Sequence, residues 1–531
     1  MQTQWQTIRQ VLQYYPRVFR LLWEASSRYT LAILGFTIIS SLATPAQIWL
    51  VKVIIDRVGL LVTSVQPGGA VDWMVVATPA ILFALVLAAG DISQSLMGAL
   101  REILGEQAEF HVRGLLLEKA ATLDIAFFET PTFYDQLENA RRDTWRMRNL
   151  PWILVDTSGQ LLSLVVTFGL LARLHWLTVP LLLLTCSPQL IAQAQRTNAM
   201  FKLWTGRTPV QRMVYYLQDL LSEREPVKEV RLFGLQVPFL QRYYEYTQRF
   251  VTENKALVFR YERLNLLSVL LSVLGVGIVW AYGVFQATLA RITLGDLALV
   301  FQAAQQVRSG LNSLFRTLGV FYEHSLFVGN LYRFLELDPA GVAGALHVRT
   351  GESSMPVPRP LRQGIEFRNV SFRYPGTERE ILQQVSFTIA PHSTVAVVGE
   401  NGAGKTTLIK LLARFYDPTD GEILLDGRDL RSYELADLRR QIGVIFQDFT
   451  RYDLTAKENI GFGQVEHVDE MARIVQAADK GGAVPVVQKL ADGYDTVLGR
   501  TFEDGADLSG GEWQKLALSR AFMREAQILI L

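Results

Sequence analysis

Residues 393–412 read STVAVVGENGAGKTTLIKLL. Within them, Gly399 to Thr406 fits the spacing G-x-x-x-x-G-K-[ST]. The continuous apolar run Val395–Val398 precedes it and is predicted as a central strand. The run TLIKLLARF that follows is predicted as a helix. Gly402 and Gly404 let backbone N–H groups turn inward around phosphate oxygens, where side chains would collide. Glu400, Asn401 and Ala403 complete the loop. Lys405 brings positive charge to the β- and γ-phosphates of a nucleotide, and Thr406, followed by Thr407, places a hydroxyl for Mg²⁺. The helix N-terminus adds its own partial positive charge. This is a phosphate cradle in an α/β domain. Kinases, GTPases and motor ATPases all use such loops, so it does not choose among them.

Working outward, IEFRNVSFRY, from Ile365, alternates as a half-buried strand. Tyr374, in FRYPG, precedes the loop and either stacks on a purine or fills the core as an edge-strand tyrosine. Gln447, in IGVIFQD, follows an apolar strand. A glutamine there reaches a metal-bound water or the γ-phosphate, or is ordinary polar surface. Leu508 to Glu512 read LSGGE. Ser509, Gly510 and Gly511 present a hydroxyl and bare backbone amides where EWQKLALSRAF begins a helix, a second anion-binding helix N-terminus.

The first half has another character. Of 531 residues, half are apolar and only 19% are charged, and the mean hydropathy is +0.18. That is a membrane-type composition. With 52 basic and 51 acidic residues, the net charge of +1 excludes the basic footprint of a nucleic-acid binder. The single cysteine, Cys186 in LLLLTCSP, excludes an intramolecular disulfide or cysteine metal cluster and reads as core or lipid-facing packing. Residues 29–55, 72–100, 152–173, 176–195, 264–290 and 293–322 are expected as six spans. Arg141, Arg142, Arg146 and Arg148 lie between the second and third. Arg196, Lys202, Arg207, Arg212, Arg224 and Lys228 lie between the fourth and fifth. The positive-inside bias therefore places both segments and both termini in the cytoplasm. Residues 1–30 are expected as an amphipathic helix at the interface. Asp91, inside the second apolar segment, is either a functional carboxylate or a water-facing one. Residues 336–363 are rich in Gly, Pro and Ser and read as a linker between a membrane domain (1–335) and a nucleotide-binding domain (364–531).

With these motifs in order, the sequence resembles the ATP-binding cassette (ABC) transporters, specifically exporters with six spans fused to one nucleotide-binding domain. The matching residues are Tyr374 (A-loop), GENGAGKTT at 399–407 (Walker A), Gln447 (Q-loop) and LSGGE at 508–512 (signature). The resemblance covers nearly the whole chain. It implies an all-α six-helix transmembrane domain followed by an α/β P-loop NTPase domain. It further implies ATP-driven export of an amphipathic substrate, a lipid or drug, across a bacterial inner membrane, with ATP and Mg²⁺ as cofactors. The metal would sit at Thr406 and Gln447. The partner would be a second half-transporter, in a homodimer or heterodimer, with ATP sandwiched between Lys405 and Thr406 of one chain and the signature residues Leu508 to Glu512 of the other. Two loops would couple nucleotide to spans. FFETPTFYDQLENA (127–140) has Thr130 as a cap and Phe133 and Tyr134 docking; SEREPVKEVRLFG (222–234) contributes Arg231 and Phe233. The alternatives are a non-hydrolysing regulatory half of a heterodimer and a peptide or siderophore exporter.

Two departures stand out. Glu512 replaces the family's glutamine, and a carboxylate aimed at the γ-phosphate would repel it. The family also follows the strand matching ILIL (528–531) with an Asp for Mg²⁺, a catalytic Glu and a later His. The 531 residues do not contain these catalytic groups, so the chain is expected to be a truncated form of a longer protein.

Overall fold

Long apolar runs become long helices. The computed structural model describes residues 16–64, 73–129, 137, 140–141, 144–174, 176–337, 346, 355–502 and 504–531. Six helices dominate the first unit: α1 (Ser27–Ser64), α2 (Met74–Thr122), α3 (Leu150–Leu174), α4 (Thr178–Gly206), α5 (Gln236–Thr288) and α6 (Leu294–Leu335). Among the described residues, α1, α2, α3 with its preceding turn, and α5 are long and apolar enough to cross a membrane. In α4 and α6, Gln189, Gln193 and Arg196, and Gln305, Arg308 and Asn312, dilute the apolar runs. Residues 1–15, half of the expected interfacial helix, lie outside the described residues.

Small residues let these helices approach. A Cβ on Gly275 of α5 would stand 2.1 Å from the Thr185 hydroxyl of α4, and one on Gly159 of α3 would stand 2.8 Å from the Ser41 hydroxyl of α1. Leu171, Leu182, Cys186, Val279, Ala303 and Val307 form one buried cluster at the junction of α3 to α6. Cys186 is therefore core.

The chain divides into two compact units, and the division does not follow sequence order alone. Residues Met1–Ala120 and Gln136–Glu336 form the first; Ala121–Asp135 and Leu337–Leu531 form the second. The second unit holds β1 (Ile365–Arg373) between β2 (Glu380–Ile389) and β3 (Asp420–Leu425), with β4 (Arg428–Asp429) at the edge, all antiparallel. A second, parallel pair joins β5 (Ile442–Val444) to β6 (Ile528–Ile530). Phe367 and Phe387 stack across β1 and β2 with centroids 4.5 Å apart. Behind them lie Val370, Phe372, Leu411, Tyr416 and Leu425. Helices α7 (Lys405–Leu412) and α8 (Gly510–Met523) complete the frame of the candidate site.

One predicted element is absent. Residues 393–400 form no strand, and Val398 is 90% exposed. A strand exists through its ladder as much as its composition, and neither described sheet pairs with Val395–Val398.

Candidate nucleotide site

The loop before α7 is shaped by two glycines in left-handed backbone, Gly402 at φ +83° and Gly404 at φ +90°. Gly404 has a second constraint: a Cβ there would lie 2.7 Å from Leu382 Cδ2 of β2. Lys405 opens α7, and its Nζ donates to the carbonyls of Gly399 and Glu400, both at 2.7 Å. The ammonium is thus held over the loop it would share with a phosphate. The Thr406 side chain is exposed in the first turn, whereas Thr407 is buried. Free amides at a helix N-terminus beside a fixed ammonium are the chemistry of anion binding.

The second helix terminus is equally well defined. Ser509 is the N-cap of α8, and Glu512 is the third residue of the helix. The Ser509 N–H donates to Glu512 Oε2 at 2.9 Å and the Ser509 hydroxyl to the same oxygen at 2.8 Å. The Glu512 N–H donates back to Ser509 Oγ at 3.3 Å. The backbone donor, then the hydroxyl, holds the Glu512 carboxyl below its ordinary range. Thr455 and Glu458 make the same reciprocal cap at another helix in this unit. The carboxylate in place of glutamine is therefore turned back onto its own cap. Trp513 and Leu516 anchor α8 in a core with Ile460 and Ile474. Arg520 donates from Nε to the Asn459 carbonyl at 2.8 Å.

Residues 382–531 match the ABC transporter family. The subtilin transport ATP-binding protein SpaT of Bacillus subtilis is 26% identical over 525 residues, 98% of this chain and 82% of SpaT. An ATP-dependent lipid A-core flippase of Haemophilus ducreyi is 37% identical over 240 residues, 45% of this chain and 39% of the flippase. The structure of a bacterial Atm1-family ABC exporter with ATP bound aligns with a TM-score of 0.75 at 24% identity, over 95% of this chain and 85% of that one. Residues 382–531 thus carry the nucleotide-binding domain of the ABC transporter family, and nearly the whole chain is similar in sequence to a transport ATP-binding protein and in fold to an ABC exporter. It carries a helical membrane domain followed by an ABC nucleotide-binding domain, and its relatives are exporters.

Within the nucleotide-binding domain, Tyr374 is partly buried. Its ring meets Phe372 and Tyr416 edge-on, at 5.0 and 5.5 Å between centroids. Its hydroxyl shares a hydrogen bond with Thr407 Oγ1 at 3.1 Å. Gln447 is exposed in the turn after β5. Leu508 packs against the α8 core, while Gly510 and Gly511 are exposed at the helix end. Thr130, Phe133 and Tyr134 lie outside the described residues. Arg231 lies in the last turn of the short helix Val227–Leu232, and Phe233, 65% exposed, caps it. Asp91 is exposed on α2.

The stretch before Thr130 supplies residues that the sequence reading missed. Ala126 is fully buried in the core of the second unit, with Ile125 packed against it. Glu129 Oε1 accepts from Lys410 Nζ at 2.8 Å, and Glu129 Oε2 accepts from the Tyr416 hydroxyl. Lys410 also lies 5.2 Å above the Tyr374 ring. Burial pulls the Lys410 ammonium down, but Glu129 and Tyr374 outweigh it and the net shift is upward. Burial, then Glu129, pushes the Tyr416 hydroxyl up. A lone glutamate in a loop carries no motif. On α7 only Thr407 and Lys410, three apart, share a helix face, and neither points to Glu129 from sequence.

Proposed function

We propose that the chain is one half of a dimeric, ATP-driven exporter of amphipathic molecules in a bacterial inner membrane, with its nucleotide-binding domain in the cytoplasm. The observation that carries this is the presence of two preorganised anion-binding helix ends in one domain, at Lys405 and at Ser509, behind apolar helices of membrane-spanning length. Two such ends on two chains clasp two nucleotides head to tail, and phosphate charge neutralised from both sides holds the dimer closed. Loss of the γ-phosphate removes that charge and opens it, a two-state element that drives the helices. Thr406 and Gln447, both exposed side chains, suit the hydroxyl and amide oxygens that a hard cation prefers. They would hold Mg²⁺, which when bound supplies charge neutralisation to the phosphates. Tyr374 would bound the adenine side. Leu232 and Phe233, both exposed apolar groups at the tip of a short helix, would dock on the partner chain's nucleotide-binding domain.

The test is nucleotide binding and transport in one preparation. The intact protein, reconstituted in lipid vesicles, should bind a fluorescent ATP analogue and move a labelled lipid in an ATP-dependent way; Lys405→Ala should lose both. Lipid movement that is indifferent to ATP would overturn the proposal. Binding without hydrolysis would convert the reading to a regulatory half that depends on a different partner.

A further inference from the structure

The helical unit has a half-open cavity of about 700 Å³ walled by α4, α5 and α6. Its charge is lopsided: Arg196, Arg308 and Arg316 line it against one carboxylate, Glu262. Arg196 stands 3.7 Å from Glu262. Among the described residues, Arg308 and Arg316 make neither an ion pair nor a hydrogen bond. Two arginines without a carboxylate partner on one cavity wall leave positive charge for an entering ligand to neutralise.

Two further side chains in the same wall have an unpaired oxygen. The amide oxygens of Gln189 and Asn312 are buried without a hydrogen bond. A buried polar atom left unpaired costs about 1–3 kcal/mol; an amide oxygen accepts, so these two suit a hydroxyl or N–H donor on an entering molecule, beside its anionic head. Phe315, Met200 and Val320 supply an apolar lining beside them. The cavity thus offers a cationic end, amide groups and an apolar wall. A guanidinium pair favours a planar or tetrahedral oxyanion, which each fork grips in bidentate fashion.

We propose that this cavity is the substrate site and that it selects an amphipathic molecule with an anionic head, phosphate or carboxylate, held by Arg308 and Arg316. The proposal rests on the export reading above and narrows it to a substrate class. Cationic amphiphiles are disfavoured, because the one carboxylate already faces Arg196.

The intact protein in phosphatidylcholine nanodiscs is titrated, without nucleotide, with dodecyl phosphate, dodecyltrimethylammonium and inorganic phosphate, each corrected for empty nanodiscs. Dodecyl phosphate is expected to bind about tenfold or more tightly than either of the others. Arg308→Gln with Arg316→Gln should abolish the preference, while Arg308→Lys with Arg316→Lys should keep most of it, separating lost charge from lost folding. Equal or tighter binding of the ammonium compound overturns the inference. So does inorganic phosphate that binds as well as its dodecyl ester, or a glutamine variant that keeps the preference. Binding of a fluorescent ATP analogue to the same samples reads the export proposal independently: its loss refutes ATP-driven transport and leaves the anion site standing, whereas intact ATP binding beside a failed amphiphile titration refutes only the site.

Discussion

Lys410 and Glu129, 281 positions apart in sequence, are joined by a hydrogen bond of 2.8 Å. Through it, one charged network connects the helix that follows the phosphate loop to the segment 121–129 that packs in the same unit. Tyr416 bonds the other Glu129 oxygen, and Lys410 covers Tyr374. The aromatic expected at the adenine and the segment expected to transmit force therefore share a neighbour.

Replacing Glu129 by Ala leaves the Lys410 ammonium and the hydroxyl of the buried Tyr416 without their acceptor. A loss of about 1–3 kcal/mol in the docking of residues 121–129 is expected. Hydrogen exchange in that segment should rise while exchange in β1 and β3 stays level. Unchanged exchange would show that the apolar contacts of Ile125 and Ala126 suffice.

Lys405→Ala removes the ammonium over the loop. A charge-assisted hydrogen bond is worth about 1.5–3 kcal/mol, so ATP affinity should fall roughly 10- to 100-fold. Equilibrium titration of the purified protein checks this, with Lys405→Arg as the charge-preserving control.

Gly404→Ala combines two penalties. A left-handed backbone costs a residue with a Cβ about 1–2 kcal/mol, and the new methyl meets Leu382 Cδ2 at 2.7 Å. Nucleotide affinity should fall about tenfold, with a lower melting temperature for the nucleotide-binding unit. Leu382→Ala added to Gly404→Ala should relieve the clash but not the backbone strain.

Glu512 has a pH signature. Its folded-state pKa lies below the ordinary 4.5 because it accepts from the Ser509 N–H and hydroxyl. Its contribution to the α8 cap is thus complete above that ordinary value and is lost as pH falls through the lowered one. Glu512→Gln should flatten this acid dependence in a thermal-unfolding series. If the α8 end faces phosphate as proposed, removing its negative charge should also tighten ATP binding a few-fold.

Gly275→Ala tests the membrane unit. The added Cβ would stand 2.1 Å from Thr185 Oγ1 and 2.6 Å from Thr185 Cβ, so α4 and α5 must separate. Overpacking of this kind costs about 1–3 kcal/mol. A fall in melting temperature that Thr185→Ala partly rescues is the expected result.

What could be read from sequence is what short segments decide by themselves. Gly402, Gly404 and Lys405 specify their loop because the required φ angles and the ammonium lie within a few residues. Ser509 and Glu512 specify a cap because a helix brings positions three apart together. Length and hydropathy were likewise enough for the helical membrane-type unit. Tertiary structure decided the rest, because it pairs residues that no local spacing relates. Val395–Val398 has the composition of a strand but no ladder. Glu129 acquires its role only by meeting Lys410 and Tyr416. Arg196 and Arg308 are unremarkable on α4 and α6 separately and become one electropositive wall when those helices pack. Backbone geometry is set by neighbours along the chain, whereas charge neutralisation and burial depend on neighbours in space.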